Sequence, residues 1–294
     1  MTPTSHPDTP PLKNRPPTFQ PQADPAHDAF TTNEPGKRFQ AWDGIPALFR
    51  SGNNSLPDPW QELFGPLRAV GHDGMIVVGQ IGQSLDGRIA TPAGHSHYVN
   101  GDDGLAHLHR LRALVDAVVV GIGTVIADDP QLTVRRVSGP HPARVIIDPN
   151  GKLPRDARVL AEDGVRRIVI ATESNRSELP PGVELLPVKP IAGSLPPQAI
   201  RAGLRDLGLH RILIEGGANT VSRFLSAGCL DRLHIVVAPV VIGSGPVGLS
   251  LAPIETMDQA LRVPTRTHNL GSDVLFDCDL SGQRAFGGVA KKST

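Results

Sequence analysis

The sequence predicts an α/β protein with a mixed central sheet flanked by helices, and three observations support this fold class. From about residue 74, short runs rich in Val and Ile recur along the chain: MIVVGQI, DAVVVGI, ARVIID, RRIVIA, RILIEG and RLHIVVAPVVI. Helical patterns separate some of these runs, at Asp103–Leu114, at about Pro197–Leu207 and at Asn219–Ala227. The runs are apolar throughout, which is typical of strands that are buried on both faces of a sheet.

The C-terminal side of this sheet is predicted to be antiparallel. Residues 231–242 and 272–280 have the composition of strands, and the segment between them contains prolines and no helical pattern. Strands that are joined without a crossover helix usually pair antiparallel. We therefore expect a parallel sheet with antiparallel strands added at one side.

Composition divides the chain into four segments. Residues 1–40 contain nine prolines and few large apolar residues, so we expect them to be disordered because burial cannot offset their ordering entropy. Residues 41–70 contain both tryptophans and predict an ordered arm that packs on the main domain, or alternatively the remnant of a lost domain. Residues 71–283 are the predicted main domain, and residues 284–294 are predicted to be a flexible tail.

The charge balance excludes several classes of partner. Lys and Arg together number 29, as do Asp and Glu, so the formal net charge is zero. No broad basic field is available to bind nucleic acid or an anionic membrane. No stretch approaches the ~20 apolar residues of a membrane span, and the N-terminus lacks the apolar core of a secretory signal. We expect a cytoplasmic protein without nucleic-acid or membrane partners.

Metal sites and disulfides are not expected. The chain has two cysteines, Cys229 and Cys278, too few for a structural zinc site or a disulfide framework, so we expect free thiols. His-x-His occurs at residues 95–97 and 107–109, but no acidic helix motif accompanies it. The H-x-E and P-C-x-x-C ligands of zinc deaminases and the G-x-S-x-G nucleophile motif are absent.

The first segment with functional character is SLDGRIATPAGHSHYVNG, residues 84–101. It follows a predicted strand and is rich in Gly, Ser, His and Asp, and loops of this kind often carry function on a rigid scaffold. The alternative is a polar surface loop in which Asp86-Gly87 forms a turn. Residue types alone leave both interpretations open.

The second segment is VVVGIGTVIADDPQLTVR, residues 118–135. A buried strand leads into Gly121-Ile122-Gly123-Thr124, followed by Asp128-Asp129-Pro130 and then Arg135. Gly-x-Gly after a strand lets the backbone approach a phosphate or a ring closely. Position 126 is Ile, so this is not the dinucleotide fingerprint, and the motif alone is only weakly specific for a cofactor.

The third segment is RILIEGGANTVSRFL, residues 211–225. A predicted strand ends in Glu215-Gly216-Gly217, and a helix begins near Asn219. The free N–H groups and the positive end of that helix suit an anionic pyrophosphate. Glu215 lies at the carboxyl end of a strand, where open α/β sheets bind their ligands. The alternative is an ordinary glycine-rich turn between a strand and a helix.

Three arginines are candidates for binding a small anion: Arg88, Arg112 and Arg135. Arg112 lies on the helical stretch LHRLRALV, where a solvated helix face is the default interpretation. If Arg112 and Arg135 converge, they form a fork-like phosphate site.

In this order and spacing, the segments resemble the reductase domain of riboflavin-biosynthesis deaminase/reductases, over about residues 74–281. The resemblance is carried by SLDGRIA, HRLRALVDAVVVGIGTVIADDPQLTVR, RVIIDPNGKLP, LIEGGANTVSRFL and DRLHIVVAPVVIGSG. It implies a dihydrofolate-reductase-like fold in a stand-alone form, because residues 1–70 are too short for the deaminase domain. It also implies that NADPH reduces 5-amino-6-(5-phosphoribosylamino)uracil to the ribitylamino compound, with hydride transfer to C1′ of the opened sugar.

The resemblance implies roles for individual residues. Those implied to contact NADPH are Gly82, Tyr98, Thr124, Asp128, Gly217, Ala218, Asn219 and Thr220. Those implied to contact the phosphorylated pyrimidine are Ser96, Arg112, Leu132, Arg135 and Glu215. Glu215, Asp86 and water are the alternatives for the proton donor. Pro149 stands where the family often has a small polar residue.

Three functions remain open at this point. The first is a reductase of phosphoribosylaminopyrimidines, which the presence of both candidate phosphate arginines, Arg112 and Arg135, favours. The second is an NADPH-dependent reductase of the same fold that acts on another pyrimidine- or pterin-like substrate, and the third is a non-catalytic binding protein. The resemblance also implies a homodimer, for which the apolar run LHIVVAPVVI offers a strand that can pair across a two-fold axis.

Overall fold

A computed structural model describes residues 42–283 of this chain, apart from residues 53, 72, 97, 98, 176 and 177. The expectations for the proline-rich segment 1–40, for the tail 284–294 and for Tyr98 fall outside the described residues.

Six α-helices and nine strands form within the described residues. The helices are α1 (Ile45–Ser51), α2 (Trp60–Phe64), α3 (Asp102–Leu114), α4 (Ile122–Asp128), α5 (Pro197–Asp206) and α6 (Ala218–Ser226). The strands are β1 (Ile76–Ser84), β2 (Ala117–Gly121), β3 (Ala143–Ile147), β4 (Arg167–Thr172), β5 (Val183–Val188), β6 (Arg211–Glu215), β7 (Arg232–Ala238), β8 (Thr265–Leu270) and β9 (Asp273–Asp279). None of these helices combines the length and the apolar character needed to cross a membrane.

The nine strands form one mixed sheet in the order β5-β4-β3-β2-β6-β1-β7-β9-β8. In the part of this order that runs from β5 to β7, each strand is parallel to the next. β9 pairs antiparallel with both β7 and β8. The predicted α/β class with a mixed sheet, and the predicted antiparallel pairing at the C-terminal side, are both confirmed.

The strands are apolar throughout because helices cover both faces of the sheet. In β2, Val118 and Val120 point into one core, which includes residues of α3, whereas Ala117 and Val119 point into a second core with α5 and α6. Successive strand side chains point to opposite faces, so a strand between two cores carries apolar residues at every position. Each fully buried aliphatic side chain of this kind contributes about 1.5–3 kcal/mol to stability.

The sequence patterns miss two edge strands and three helices, namely α1, α2 and α4. β5 and β8 lie at the two edges of the sheet and are largely exposed or half-buried, so their sequences VELLPV and TRTHNL lack an apolar run. The predicted loop-like connection between β7 and β9 therefore contains a strand. α4 begins directly after Gly121, where the sequence predicted only a Gly-x-Gly turn.

The run RLHIVVAPVVI forms a shorter strand than predicted. β7 ends at Ala238, before Pro239, which has no N–H to donate to a ladder. β7 lies between β1 and β9 in the sheet. Both of its edges are occupied, so the predicted strand pairing of LHIVVAPVVI across a two-fold axis is wrong.

Residues 42–70 contribute their aromatic side chains to the core on the α3 side of the sheet. The rings of Trp42 and Trp60 are 5.3 Å apart, and those of Trp42 and Phe64 are 5.7 Å apart. The guanidinium of Arg110, on α3, lies 4.9 Å from the centre of the Trp60 ring. This segment is therefore packed against the helix that also carries Arg112.

Candidate active site

A cleft of about 590 Å³ opens at the carboxyl edge of the parallel strands. The neighbouring strands β2 and β6 are followed by helices on opposite faces of the sheet. α4 packs Val125 into one core, while α6 packs Val221 and Phe224 into the other. Adjacent loops that diverge in this way leave the crevice in which open α/β sheets bind ligands.

The cleft collects most of the residues implied to contact the cofactor. Its lining includes Thr124, Asp128, Gly217, Ala218, Asn219 and Thr220, together with Ser96, which was assigned to the substrate. Pro149 and Asn150, which follow β3, also line this cleft. The three segments that sequence analysis singled out thus meet in one place.

The turn between β6 and α6 is built by Gly216 and Gly217, each with a φ of 68°. This left-handed conformation favours glycine because it lacks a Cβ. A Cβ on Gly217 would lie 2.7 Å from the Oγ1 atom of Thr124, across the cleft on α4. The first N–H groups of α6 lack intrahelical acceptors. A ligand can therefore approach this backbone closely.

Arg112 and Glu215 form a buried ion pair that joins α3 to the end of β6. The Nε atom of Arg112 donates to Oε2 of Glu215 at 2.7 Å, and Nη2 donates to Oε1. Nη1 of Arg112 donates to the carbonyl of Thr133 at 2.8 Å. The two residues are 5% and 8% exposed. The default interpretation of Arg112 as part of a solvated face is wrong, because this position faces the sheet and Glu215 compensates its buried charge.

Arg135 lies next to this pair in an electropositive environment. Desolvation, followed by the positive charges of Arg112, Arg136 and Arg158, lowers the pKa of its guanidinium. Nη1 of Arg112 donates to the carbonyl of Thr133, two residues before Arg135, so the two arginines lie near each other. They do not form a symmetric fork, because Arg112 already directs its guanidinium at a carboxylate and a carbonyl.

His109 positions the backbone of Arg135. Its Nδ1 atom accepts a hydrogen bond from the N–H of Arg135 at 3.0 Å. Burial, followed by the nearby charges of Arg112, Arg135 and Arg136, lowers the pKa of His109 to about 3. The imidazole is consequently neutral, and its Nδ1 can act as an acceptor.

Leu132 lies in a strained segment between α4 and Arg135. It is 1% exposed and has a φ of 54°, and Asp129 has a φ of 38°. Left-handed conformations at residues other than glycine cost on the order of 1 kcal/mol or more and persist only where the surroundings enforce them. The carboxylate of Asp129 helps to enforce its left-handed conformation, because it accepts the N–H of Arg158 at 2.8 Å.

Asp86 is fixed as a carboxylate by its own hydrogen bonds. It accepts from Oγ of Ser84 at 2.6 Å and from the N–H groups of Ile242 at 3.1 Å and Gly243 at 2.6 Å. The Ser84 hydroxyl and these N–H groups lower the pKa of Asp86 to about 2. These contacts favour a structural role in holding the loop after β7, and they disfavour the proton-donor role.

Two further residues from the sequence analysis, Gly82 and Arg88, lie apart from these groups. Gly82, on β1, is not among the residues that line the cleft, and a Cβ there would overlap the side chain of Asn100. Arg88 donates to the carbonyl of Gly245 at 3.2 Å. Tyr98 is outside the described residues.

The residues that hold the site in place were missed by sequence analysis. His109 was noted only as half of a His-x-His pair, and Thr133 acts through its carbonyl, which any residue would provide. Asp129 also holds the site in place, by accepting the N–H of Arg158. Its position in the quoted motif Asp128-Asp129-Pro130 was the one sequence feature that could have indicated such a supporting residue. Over the described ranges, no group of three or more His, Cys, Asp or Glu residues is placed to hold a metal ion.

Comparison with known sequences identifies a family. The RibD C-terminal domain family matches residues 76–276. The chain is 33% identical over 199 residues to the riboflavin biosynthesis protein RibD of Aquifex aeolicus, covering 66% of this chain and 54% of that protein. It is 32% identical over 211 residues to the 2,5-diamino-6-ribosylamino-4(3H)-pyrimidinone 5′-phosphate reductase of Methanothermobacter thermautotrophicus, covering 68% of this chain and 95% of that protein.

A solved structure gives the same result for the fold. The diaminohydroxyphosphoribosylaminopyrimidine deaminase/5-amino-6-(5-phosphoribosylamino)uracil reductase of Thermotoga maritima superposes with a TM-score of 0.61 at 28% identity, over 70% of this chain and 56% of that chain. This chain therefore spans about half the length of the Aquifex protein and of the Thermotoga chain. The chain belongs to the RibD C-terminal domain family.

Proposed function

We propose that this chain is an NADPH-dependent reductase that converts a phosphoribosylaminopyrimidine to its ribitylamino product in riboflavin biosynthesis. The observation that carries the proposal is the buried pair of Arg112 and Glu215 beside Arg135, adjoining a glycine-lined cleft. A cofactor site and an electropositive substrate site are thus next to each other, as a hydride transfer requires.

The cleft fits a nicotinamide dinucleotide. Its volume of about 590 Å³ lies within the usual range for small-molecule sites. The Gly216-Gly217 turn and the start of α6 suit the pyrophosphate, and Thr124 and Asp128 offer polar groups to the rest of the cofactor. A bound nicotinamide would supply a hydride. The preference for NADPH over NADH rests on the family resemblance.

The residues beside the cleft suit a phosphorylated, polar substrate. Arg135 offers a guanidinium to the phosphate, and Ser96 offers a hydroxyl from the lining of the cleft. Glu215 is held by Arg112 in a fixed orientation, from which its carboxylate can accept hydrogen bonds from substrate N–H or O–H groups. Leu132 is 1% exposed and packs into the core, so its side chain supports the segment that leads to Arg135.

The reduction consumes one hydride and one proton. The opened sugar is an imine, so the hydride adds to C1′, the carbon–nitrogen double bond becomes single, and a proton adds to the nitrogen. Both oxygens of Glu215 accept from Arg112, and Asp86 is ionised. Among the three alternatives from the sequence, water is therefore the favoured proton source.

The 2,5-diamino-4-pyrimidinone compound is a second candidate substrate beside the uracil. It is favoured because the chain covers 95% of the Methanothermobacter relative, whose name specifies that compound. The two compounds share the phosphoribosylamino group at which reduction occurs. The proposed contacts involve only this shared group and do not distinguish the two pyrimidines. The turnover of the two compounds therefore has to be compared directly.

A homodimer is the proposed assembly. Val274 and Phe276 project from β9 with 40% and 37% exposure, and Val240 and Val241 are exposed on the segment that follows β7. Exposed apolar side chains that cluster on one side often mark an interface. Sedimentation analysis of the wild type and of Phe276→Arg tests the assembly, since a dimer that uses this face should dissociate in the variant.

Loss of NADPH absorbance with each phosphoribosylaminopyrimidine tests the proposed function. We expect rapid oxidation that depends on substrate, slower oxidation with NADH, and a raised KM for Arg135→Ala. Arg155→Ala is a matched control, because Arg155 is an exposed arginine paired with Glu178. Binding of NADPH without turnover of either pyrimidine would favour a reductase for another substrate. Failure to bind NADPH would favour a non-catalytic binding protein.

A further inference from the structure

The segment at residues 42–70, called the arm below, packs on α3. The guanidinium of Arg110, on α3, lies 5.7 Å from the ring centre of Trp42 and 4.9 Å from that of Trp60. A cation over an indole ring is attracted to it, and the attraction strengthens where water is excluded. Arg110 is two residues before Arg112 in the same helix. The arm therefore contacts the C-terminal half of α3, which includes Arg112.

The same arm also holds the segment that follows Arg135. The indole N–H of Trp42 donates to the carbonyl of Ser138 at 2.7 Å, and the hydroxyl of Ser138 donates to the carboxylate of Asp43. Ser138 is three residues after Arg135. Two adjacent residues of the arm thus anchor one residue through both its backbone and its side chain. The arm precedes residues 76–276, which match the family, so these contacts come from outside the matched domain.

The anchored segment has few other means of keeping its position. Residues 129–142 contain no helix or strand, so no ladder of backbone hydrogen bonds fixes them. The N–H groups of Val134 and Arg135 donate instead to ring nitrogens of His141 and His109, both at 3.0 Å. Each of these amides is protected from solvent exchange only while its hydrogen bond is intact. Their exchange rates therefore report whether the segment stays in place.

The segment meets α3 and the arm with little clearance. A Cβ on Gly139 would lie 2.6 Å from the Cβ of Ala113, on α3, and 3.5 Å from Cγ of Pro46, in α1 of the arm. Gly139 thus lies where the helix and the arm come together. Ser138, the preceding residue, is the point at which hydrogen bonds from the arm hold the segment in this contact.

We propose that Trp42 is a positioning residue, which anchors Ser138 and thereby holds Arg135 where its guanidinium binds the substrate. The role of Arg135 toward the substrate rests on the proposed function. The indole ring of Trp42 packs at 9% exposure beside the rings of Trp60 and Phe64. A phenylalanine would fill much of that space, but only the indole N–H supplies the donor to the segment after Arg135.

Hydrogen exchange, followed by mass spectrometry, tests the anchor without any ligand. Trp42→Phe removes the donor to Ser138, so the protected amides of residues 133–139 should exchange roughly fivefold faster, as expected for the loss of one hydrogen bond. Asp43→Ala removes the second anchor at an exposed position and should act in the same direction. Phe49→Leu, a core substitution elsewhere in the arm, should lower the midpoint of urea unfolding but leave these amides unchanged. Wild-type exchange rates in both Trp42→Phe and Asp43→Ala would overturn the inference.

Steady-state kinetics with the phosphorylated pyrimidine test the positioning role. Trp42→Phe should raise the KM by a similar factor with little change in kcat or in NADPH affinity, whereas Phe49→Leu should leave the KM unchanged. In the Arg135→Ala background, Trp42→Phe should raise the KM no further, because the anchor acts through Arg135. An additive effect in that background would overturn the inference. Faster exchange in a protein that reduces neither pyrimidine would support the anchor and reject the proposed function.

Discussion

Arg112 and Glu215 lock the last turn of α3 to the carboxyl end of β6, with Nε of the arginine 2.7 Å from Oε2 of the glutamate. Glu215 is followed directly by the Gly216-Gly217 turn that lines the cleft. The ion pair therefore connects the electropositive region around Arg135 with the backbone proposed to hold the cofactor pyrophosphate. Displacement of either side chain should disturb both sites.

Removal of one member of this pair should destabilise the protein strongly. Arg112→Ala leaves a buried carboxylate without a partner, at a cost of about 3–5 kcal/mol. The double variant Arg112→Met/Glu215→Leu removes both charges and should lose less stability than the single variants predict by addition. Urea unfolding of the wild type, both single variants and the double variant measures this coupling. Additive effects of the two substitutions would contradict the buried pair.

Gly217→Ala should weaken cofactor binding more than it weakens folding. The substitution adds a Cβ 2.7 Å from Thr124 and forces alanine to adopt a φ of 68°. Gly208→Ala is a matched control, since Gly208 has a φ of 79° but open space around its Cβ position. Each variant should lose on the order of 1 kcal/mol of stability from backbone strain.

Fluorescence titration with NADPH separates the two glycine variants. We expect an affinity roughly tenfold lower for Gly217→Ala, because the added methyl group displaces Thr124, which lines the same cleft, and an unchanged affinity for Gly208→Ala. Equal affinities in both variants would show that the Gly216-Gly217 turn does not contact the cofactor.

The sequence predicted the central strands well because their signal is local. A strand between two cores is apolar at each position, so VVV in β2 and VII in β3 are visible without knowledge of neighbours. The edge strands were missed for the opposite reason. β8 reads TRTHNL, and its strand geometry comes from pairing with β9, which the chain reaches only after β8. Tertiary context overrides propensity in such cases.

The candidate site was predicted in part, and its omissions share a physical cause. Thr124 and Gly217 were found because glycine turns after strands carry a sequence signature. The partner of Arg112 was not identified, because residues 103 positions apart in the sequence meet only in the fold. The hydrogen bond from the N–H of Arg158 to Asp129, which holds the segment before Arg135, was also missed, because a backbone donor has no sequence signature.

Asp86→Asn should leave the chemistry largely intact. The hydroxyl of Ser84 and the N–H groups of Ile242 and Gly243 hold the carboxylate ionised, with a pKa of about 2. A group with a depressed folded-state pKa stabilises the protein above its unfolded pKa, 3.8 for Asp, and this contribution is lost as the pH falls toward about 2. The carboxylate thus acts on the loop and not on the substrate.

Steady-state kinetics of Asp86→Asn distinguish these roles. We expect kcat to remain within about threefold of the wild type, whereas loss of a general acid typically costs about 100-fold or more. Asp258→Asn, at an exposed carboxylate on the Met257–Gln259 turn, gives the baseline for a surface substitution. A 100-fold loss of kcat in Asp86→Asn alone would restore Asp86 as a proton donor.

The buried histidine His107 should make the protein less stable in mild acid. Its Nε2 lies 3.0 Å from Nδ1 of His234, and its ring stacks on Phe64 with a 5.6 Å separation. Burial, followed by the charges of His234 and Arg110, lowers the pKa of His107 well below its ordinary value. The folded state therefore keeps this imidazole neutral, while the unfolded chain binds a proton near pH 6.5.

Because the unfolded state binds the additional proton, stability is fully present above about pH 6.5 and falls by up to about 1.4 kcal/mol per pH unit below it. Urea unfolding between about pH 5 and about pH 7.5 measures the slope. His107→Phe keeps a ring against Phe64 and removes the titrating group, so its stability should depend less on pH across this range. His95→Gln, at an exposed histidine, should keep the wild-type slope. Identical slopes for the wild type and His107→Phe would mean that another group controls the acid sensitivity.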